Sequence, residues 1–417
     1  MAELQTSNNQ SNSPLEWPEV ACRMMHLYKE GPKHFGGKVR LSSRLEWDGA
    51  EPHFVWFEFS EELLPMTTPS MDPFLVACIF VAMEQPTKLH VHGEISPSLL
   101  RNLTEFQAAW HCWLPEKYTP AEITADQERE SQPDRTDRST IAAFSGGVDS
   151  TYTIWRHTIG DAKRDKCEIE AGLLVHGFDI PLDQEEQFSR AAETAAMTLK
   201  SVGLKLLTMK SNLYHPDWEM THGAAIAACL MLFQDRYGAG LIASTYDYSM
   251  LDFPWGSNII TDRMLSSDAF AVVHDGSSTS REDKQKAISK WTEGFNNLRV
   301  CYSASDRDRN CCSCAKCVMN LIAFQALSLP RPQSFERDIS AGDILGLKDL
   351  NESFAQVFKS MADYYQNTSF RTAPWFSPLE RCARYNQRRI LLEKPLKNGF
   401  QEWLRKKQLR RHIQKGP

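Results

Sequence analysis

Five short apolar runs, Ile141 to Phe144, Glu170 to Val175, Lys205 to Met209, Ala239 to Ser244 and Ala271 to Val273, are separated by stretches of helical pattern. Strands this short, alternating with helices, cannot pair as hairpins. They imply an α/β unit with a parallel sheet covered by helices on both faces. The first run ends in Ser145-Gly146-Gly147-Val148-Asp149-Ser150 and leads directly into a helix. A strand-to-helix turn of that composition can aim successive backbone amides into one concavity, and the helix adds its positive N-terminal end.

The segments around this unit read differently. Residues 1–14 are polar and are expected to be disordered. Residues 15–115 are expected to form a small α+β domain. Lys38 to Trp47 and His53 to Phe59 roughly alternate around Asp48-Gly49 as a hairpin. Asp72-Pro73 opens an apolar helix through Met83, Lys88 to His92 reads as a strand, and Ser96-Pro97 caps a second helix reaching Trp113. His90 and His92 share a strand face but, lacking a third ligand, read as surface residues. Residues 116–138 are charged and poor in large apolar side chains, which reads as a linker. The parallel unit is expected over 139–330, followed by a helical C-terminal extension over 331–417 with a basic stretch from Arg405 to Lys415.

At 417 residues, 42% hydrophobic and 24% charged, the composition is that of a globular protein. A formal net charge of −6 argues against a protein that grips large nucleic acids by phosphate neutralisation. The longest apolar run, Phe74 to Met83, falls far short of the roughly 20 residues that span a bilayer, so a cytoplasmic protein is expected. Five of the eleven cysteines lie between Cys301 and Cys317. Cys301, Cys311, Cys314 and Cys317 give the spacing Cys-x9-Cys-x2-Cys-x2-Cys, which suits a closed tetrahedral Zn²⁺ site. An iron–sulfur cluster or a catalytic pair are the alternatives, and Cys312 could substitute for Cys311.

In the glycine loop, Ser145 and Ser150 offer hydroxyl donors and Asp149 is placed to hold a Mg²⁺ bridging phosphate oxygens. No lysine follows the glycines, so this is not a Walker A loop, which points away from γ-phosphate transfer and toward release of pyrophosphate.

The loop resembles that of the PP-loop, or N-type, ATP pyrophosphatase superfamily, and residues 141 to 330 resemble its 7-cyano-7-deazaguanine synthase (QueC) branch. The resemblance implies a PP-loop fold, ATP bound on Ser145, Gly146, Gly147, Val148, Asp149 and Ser150, and attack of a substrate carboxylate on the α-phosphate. It also implies an adenine site at His176, Gly177 and Asp179, after the second strand of the unit. The Ser244–Ser249 segment resembles the Asp-Tyr-Ser-Gly-Tyr-Pro stretch of QueC, which makes Asp247, Tyr248 and Trp255 substrate-pocket residues. Lys284 is the nearest counterpart of a QueC lysine, a catalytic cation with Asp149 and Ser150. Two departures stand out: His222-Gly223 replaces an Arg-Asn pair near the phosphates, and Cys312 stands where QueC has glycine. The longer layout looks like the QueC-like proteins of type IV CBASS and Qat antiphage operons. That implies an ATP-dependent C–N ligase joining a deazaguanine carboxylate, that of 7-carboxy-7-deazaguanine, to the N-terminus of a partner protein. The alternatives are a free nitrile synthase using ammonia, a non-catalytic ATP-binding scaffold, and a tRNA-modifying enzyme.

Overall fold

A computed structural model describes residues 23–85, 87–130, 139–250, 254–303 and 306–393. The expectations for residues 1–14 and for the basic stretch 405–415 lie outside the described residues, as does the last part of 116–138.

The amino-terminal elements are β1 (Arg23–Lys29), β2 (Lys33–Phe35), β3 (Lys38–Trp47), β4 (His53–Ser60), α1 (Asp72–Met83), β5 (Thr87–Ile95), α2 (Pro97–Trp113) and β6 (Glu122–Glu128). Then come β7 (Thr140–Ala143), α3 (Val148–His157), β8 (Ile169–His176), α4 (Glu185–Lys200), β9 (Lys205–Ser211), α5 (Trp218–Met231), β10 (Ala239–Ala243) and β11 (Ala271–Asp275). The chain continues through α6 (Arg281–Ile288), α7 (Thr292–Asn296), α8 (Ala315–Ala326), α9 (Ala341–Leu345), α10 (Glu352–Gln366) and a helix over 376–393. Among the described residues the strands form one mostly parallel, eleven-stranded sheet in the order β11-β10-β7-β8-β9-β4-β3-β1-β5-β6, with β2 on β3. This is an α/β fold, compatible with a Rossmann-like one. No helix among the described residues is long and apolar enough to cross a membrane.

The parallel unit is as expected, with β11, β10, β7, β8 and β9 all parallel. Its neighbour differs from the reading of a separate small domain. β4 pairs antiparallel with β9 at Phe57↔Ser211 and Glu58↔Lys210, so both halves share one sheet. Asn212 clamps the junction: its Oδ1 accepts from the Trp56 amide at 2.9 Å and its Nδ2 donates to the Phe54 carbonyl at 2.7 Å. The pairing also closes what would otherwise be an open sheet edge at β9. Helix α1 is apolar on every face because it is buried on nearly every face, packed on β5 and α5. One apolar core consequently runs from Met25 to Val272.

The stretch 116–138 is not a plain linker over its described part. Glu122–Glu128 forms β6, parallel to β5, with Ile123 and Ala125 against the core. Tyr118 is fully buried, and the Ala121 amide donates to Gln107 Oε1 at 2.8 Å. The alternation is present in this strand, but charge at the exposed positions masks it. The carboxyl-terminal helices pack their own core (Phe358, Trp375, Leu379) onto Val318 and Ile322 of α8.

The strand order fixes where a ligand can sit. From β7 the chain moves one way to β8 and β9, then returns to place β10 and β11 on the other side of β7. The direction reverses between β7 and β10, and open α/β sheets bind ligands outside the carboxyl ends of strands at such a switch point.

Candidate functional site

The glycine loop leaves β7 at this switch point. Gly146 adopts φ +76°, a left-handed conformation that glycine takes at little cost, and Gly147 is the N-cap of α3. Among the described residues no side chain caps that helix; the Ser145 hydroxyl instead accepts from the Gly147 amide at 3.3 Å and lies 3.3 Å from the Ser150 hydroxyl. The first-turn amides of α3 are therefore directed at the crevice without a side-chain acceptor, an arrangement that suits an anion. A cavity of about 350 Å³ opens beside the loop, lined by Ser145, Gly146, Thr198, Arg299 and Asn310 among others.

Cations border the loop. Lys284 of α6 reaches across the crevice. Its Nζ donates to Ser244 O at 2.6 Å and to Ser244 Oγ at 2.8 Å, at the end of β10, and lies 3.4 Å from Asp149 Oδ1. Arg281 Nη1 lies 2.9 Å from Asp149 Oδ2. Burial opposes the charge on Asp149, but Arg281 and Lys284 outweigh it and hold the carboxyl below its ordinary range. For Lys284 burial wins: the ammonium is pushed below the usual lysine value despite Asp149. Both oxygens of Asp149 are thus engaged by cations rather than open to Mg²⁺. The role its contacts support is to hold Arg281 and Lys284 at the loop. Lys284 is 1% exposed with its donors satisfied by protein oxygens, whereas the Arg281 side chain retains 26% exposure and is the cation a ligand reaches first.

Arg299 is a residue that sequence reasoning missed. Its amide donates to Gly146 O at 2.8 Å, its Nη2 donates to Ser145 O at 2.9 Å, and the same nitrogen lies 3.5 Å from Asp179 Oδ2. It straps the loop from the far side and brings the carboxyl end of β8 to it. Nothing in its coil context between α7 and Cys301 marks it.

The β8 residues divide. Asp179 reaches the loop through Arg299. His176 turns inward: it is fully buried, its ring stacks on Phe188 at 4.4 Å, and its Nε2 bonds Pro181 O at 2.7 Å. That makes it a packing residue of the turn after β8, with its other nitrogen lacking a partner among the described residues. Gly177 has φ +110°, and a Cβ there would sit well inside contact distance of the Ser211 carbonyl oxygen on β9. Gly177→Ala is expected to destabilise the fold by about 3 kcal/mol or more, combining backbone strain with a backbone clash. A shift of the urea midpoint measures it, and an unchanged midpoint contradicts the close approach.

The segment after β10 is divided too. Asp247 Oδ1 caps its own turn, accepting from the Ser249 amide at 2.9 Å and hydroxyl at 2.5 Å, and Tyr248 is exposed. Trp255 lies edge-on to Tyr246 and to His222, each at 5.4 Å. With Trp218 and Phe178 (4.7 Å apart) these rings form an aromatic row from the end of β8 to the end of β10. His222-Gly223 is engaged by the protein itself. Gly223 packs directly on the backbone of Gly256, and His222 Nδ1 bonds Trp218 O at 3.0 Å.

The cysteines converge at the start of α8. The sulfurs of Cys301, Cys311, Cys314 and Cys317 all lie within 4.8 Å of one another, with Cys301–Cys314 at 3.7 Å and Cys311–Cys317 at 3.9 Å. Thiolates held about 2.3 Å from a tetrahedral zinc stand about 3.8 Å apart, so the cluster fits Zn²⁺. The Cys314 amide donates to Cys311 Sγ at 3.2 Å, the kind of second-layer bond that steadies a thiolate. Cys312 is outside the cluster, its thiol directed at Asn310 O at 3.6 Å and its backbone at φ +58°. That left-handed conformation is what a glycine there would accommodate without strain.

No family model, curated protein or solved structure matches the chain.

Proposed function

We propose that this chain is an ATP-dependent ligase of the PP-loop type that activates a carboxylate as its adenylate and passes the acyl group to an amine. The observation that carries this reading is the uncapped Gly146-Gly147 turn at the switch point, faced by Arg281 and Lys284 from across the crevice. An arrangement of this kind, without a Walker lysine, suits a polyphosphate. A substrate carboxylate oxygen bonds to the α-phosphorus as the bond to the β-phosphate oxygen breaks. The amides of α3 and the Arg281 guanidinium stabilise charge on the departing pyrophosphate. An amine nitrogen then bonds the acyl carbon, AMP leaves with the electron pair of the acyl–oxygen bond, and the amine gives up a proton. A Mg²⁺ would shield phosphate charge when bound with the nucleotide.

The aromatic row of Phe178, Trp218, Trp255 and Tyr246 supports a flat heterocyclic acid as substrate. The resemblance to QueC names it as 7-carboxy-7-deazaguanine, and the longer layout, like that of the QueC-like proteins of type IV CBASS and Qat operons, implies the N-terminus of a partner protein in antiphage defence as the amine. The test incubates the purified chain with ATP, 7-carboxy-7-deazaguanine and candidate partners. Substrate-dependent pyrophosphate release is expected, with a partner gaining the mass of the acyl group. Free nitrile with ammonia, and no partner adduct, would assign the nitrile synthase activity instead. ATP binding without pyrophosphate release would make the chain a scaffold.

A further inference from the structure

On the far wing of the sheet a second cluster has ligand-like geometry. β1, β5 and β6 lie side by side, and the register pairs His26 with His90 and His90 with Thr124, while Tyr28 pairs with His92. Leu27, Leu89 and Val91 point to the opposite face, into the core shared with α1 and α2, so the imidazoles occupy the face that the described residues leave open. A ligand atom from each of His90, His92 and Asp126 lies within 4.8 Å of the others. Asp126 Oδ1 is 2.9 Å from His90 Nε2 and 3.7 Å from His92 Nδ1. Nitrogen and oxygen ligands held about 2.0–2.1 Å from a tetrahedral ion stand about 3.4 Å apart, a spacing these two values bracket.

The nitrogens on the other side of each ring are also provided for. His90 Nδ1 is 2.9 Å from the Thr124 hydroxyl, and His92 Nε2 is 3.0 Å from His26 Nδ1. Ligation through Nδ1 of His92 fixes its proton on Nε2, facing an acceptor, and ligation through Nε2 of His90 does the same toward Thr124. Metal-bound histidines characteristically have their second nitrogen held this way, which sets both tautomer and ring plane. Tyr28 fixes the plane further, stacked on His92 at 4.2 Å and 3°.

We propose that His90, His92 and Asp126 bind a divalent transition ion of the zinc type, with His26 and Thr124 as positioning residues. Two imidazoles and one carboxylate suit Zn²⁺, Co²⁺ or Ni²⁺ rather than Mg²⁺ or Ca²⁺. The side chains are 27%, 32% and 48% exposed, so the fourth position opens to solvent and the ion exchanges, unlike one enclosed by four cysteines.

The experiment titrates the full-length, zinc-loaded chain with Zn²⁺ and, after metal removal and reloading, with Co²⁺. A second equivalent is expected beyond the cysteine-bound one, the first to leave under mild chelation. With Co²⁺ it adds visible bands without adding to the thiolate charge-transfer band in the near ultraviolet. His90→Asn and Asp126→Asn are expected to abolish that equivalent while leaving the thiolate band intact, which also shows that the variants fold. His26→Phe keeps a ring to stack but removes the acceptor. It and the isosteric Thr124→Val are expected to weaken the site by about 10- to 100-fold. A wild-type chain that takes no second equivalent, or a second equivalent indifferent to all four substitutions, overturns the proposal. Neither result bears on ATP binding.

Discussion

Replacing Cys317 with serine is expected to strip the metal from the cysteine cluster and to unfold the segment it organises. Cys317 is fully buried in the first turn of α8, and Cys314 is that helix's N-cap. Around them Val300, Cys301, Leu321, Phe324 and Phe335 form a small core. Such a core is too small to outweigh the entropy of ordering the long coil between α7 and α8 without a cross-link. Metal bound at the four cysteines would supply the difference, since binding free energy at a structural zinc site is folding free energy. The α8 terminus also favours thiolate charge electrostatically. Serine offers neither soft sulfur nor the right bond length. We expect loss of the stoichiometric metal and a destabilisation of several kcal/mol, on the order of the single-ligand share of a structural zinc site. Elemental analysis and a denaturant titration measure both. Cys312→Ser is the control: its thiol faces Asn310 O rather than the cluster, so metal content should not change. Should Cys312→Ser lose the metal and Cys317→Ser keep it, the ligand set is wrong.

The damage should spread. Val318 and Ile322 of the same helix carry the carboxyl-terminal core, and Tyr302, one residue after the first ligand, stacks on Phe354 of α10 at 5.8 Å. Through Arg299, two residues before Cys301, the cluster also anchors the strap behind the glycine loop. A metal held by these cysteines, far from the crevice in sequence terms, would therefore steady the loop's backing.

These long connections mark the limit of what the sequence discloses. The parallel strands were legible because buried strands between helices produce apolar runs that need no partner to be recognised. The four cysteines were legible because ligand spacing is a local property. By contrast, the β4–β9 junction rests on backbone pairing and on Asn212, which carries no periodic signature. β6 was hidden because its outward positions are Glu122, Thr124, Asp126 and Glu128, whose polarity is that of a linker as much as of an edge strand. Missing β6 removed Asp126 from consideration, and so His90 and His92 read as ordinary surface residues. At the crevice, Ser145, Gly146 and Asp149 share one loop, and Lys284, which only the resemblance singled out, reaches Asp149. His176 does not join them, because a histidine ending a buried strand finds its cheapest partner in the turn that follows.

Asp149→Asn is expected to be among the most damaging single changes in the crevice. The substitution keeps the shape but removes the charge that compensates Lys284, an ammonium almost completely excluded from water. Removing one member of a buried ion pair typically costs about 3–5 kcal/mol, because the remaining charge is left desolvated. The Asp149 side chain is 21% exposed, which places the expected loss near the lower end. Acid offers an independent check. The folded-state pKa of Asp149 is depressed, so its contribution is present above the unfolded carboxyl value of about 4 and is lost as pH falls through the folded value. The stability gap between wild type and Asp149→Asn should accordingly be full at neutral pH and close in acid. A second substitution separates charge from shape: Lys284→Met in the Asp149→Asn background removes the orphaned ammonium. It should recover part of the loss, giving a non-additive cycle. Pyrophosphate release should not recover with it, since Arg281 would remain without the carboxylate that holds it at the loop. Recovery of stability without recovery of turnover is the signature of a pair that is structural in its burial and functional in its placement. An Asp149→Asn chain as stable as wild type at neutral pH removes Asp149 from the structural role, and one that still releases pyrophosphate at the wild-type rate removes it from the functional one.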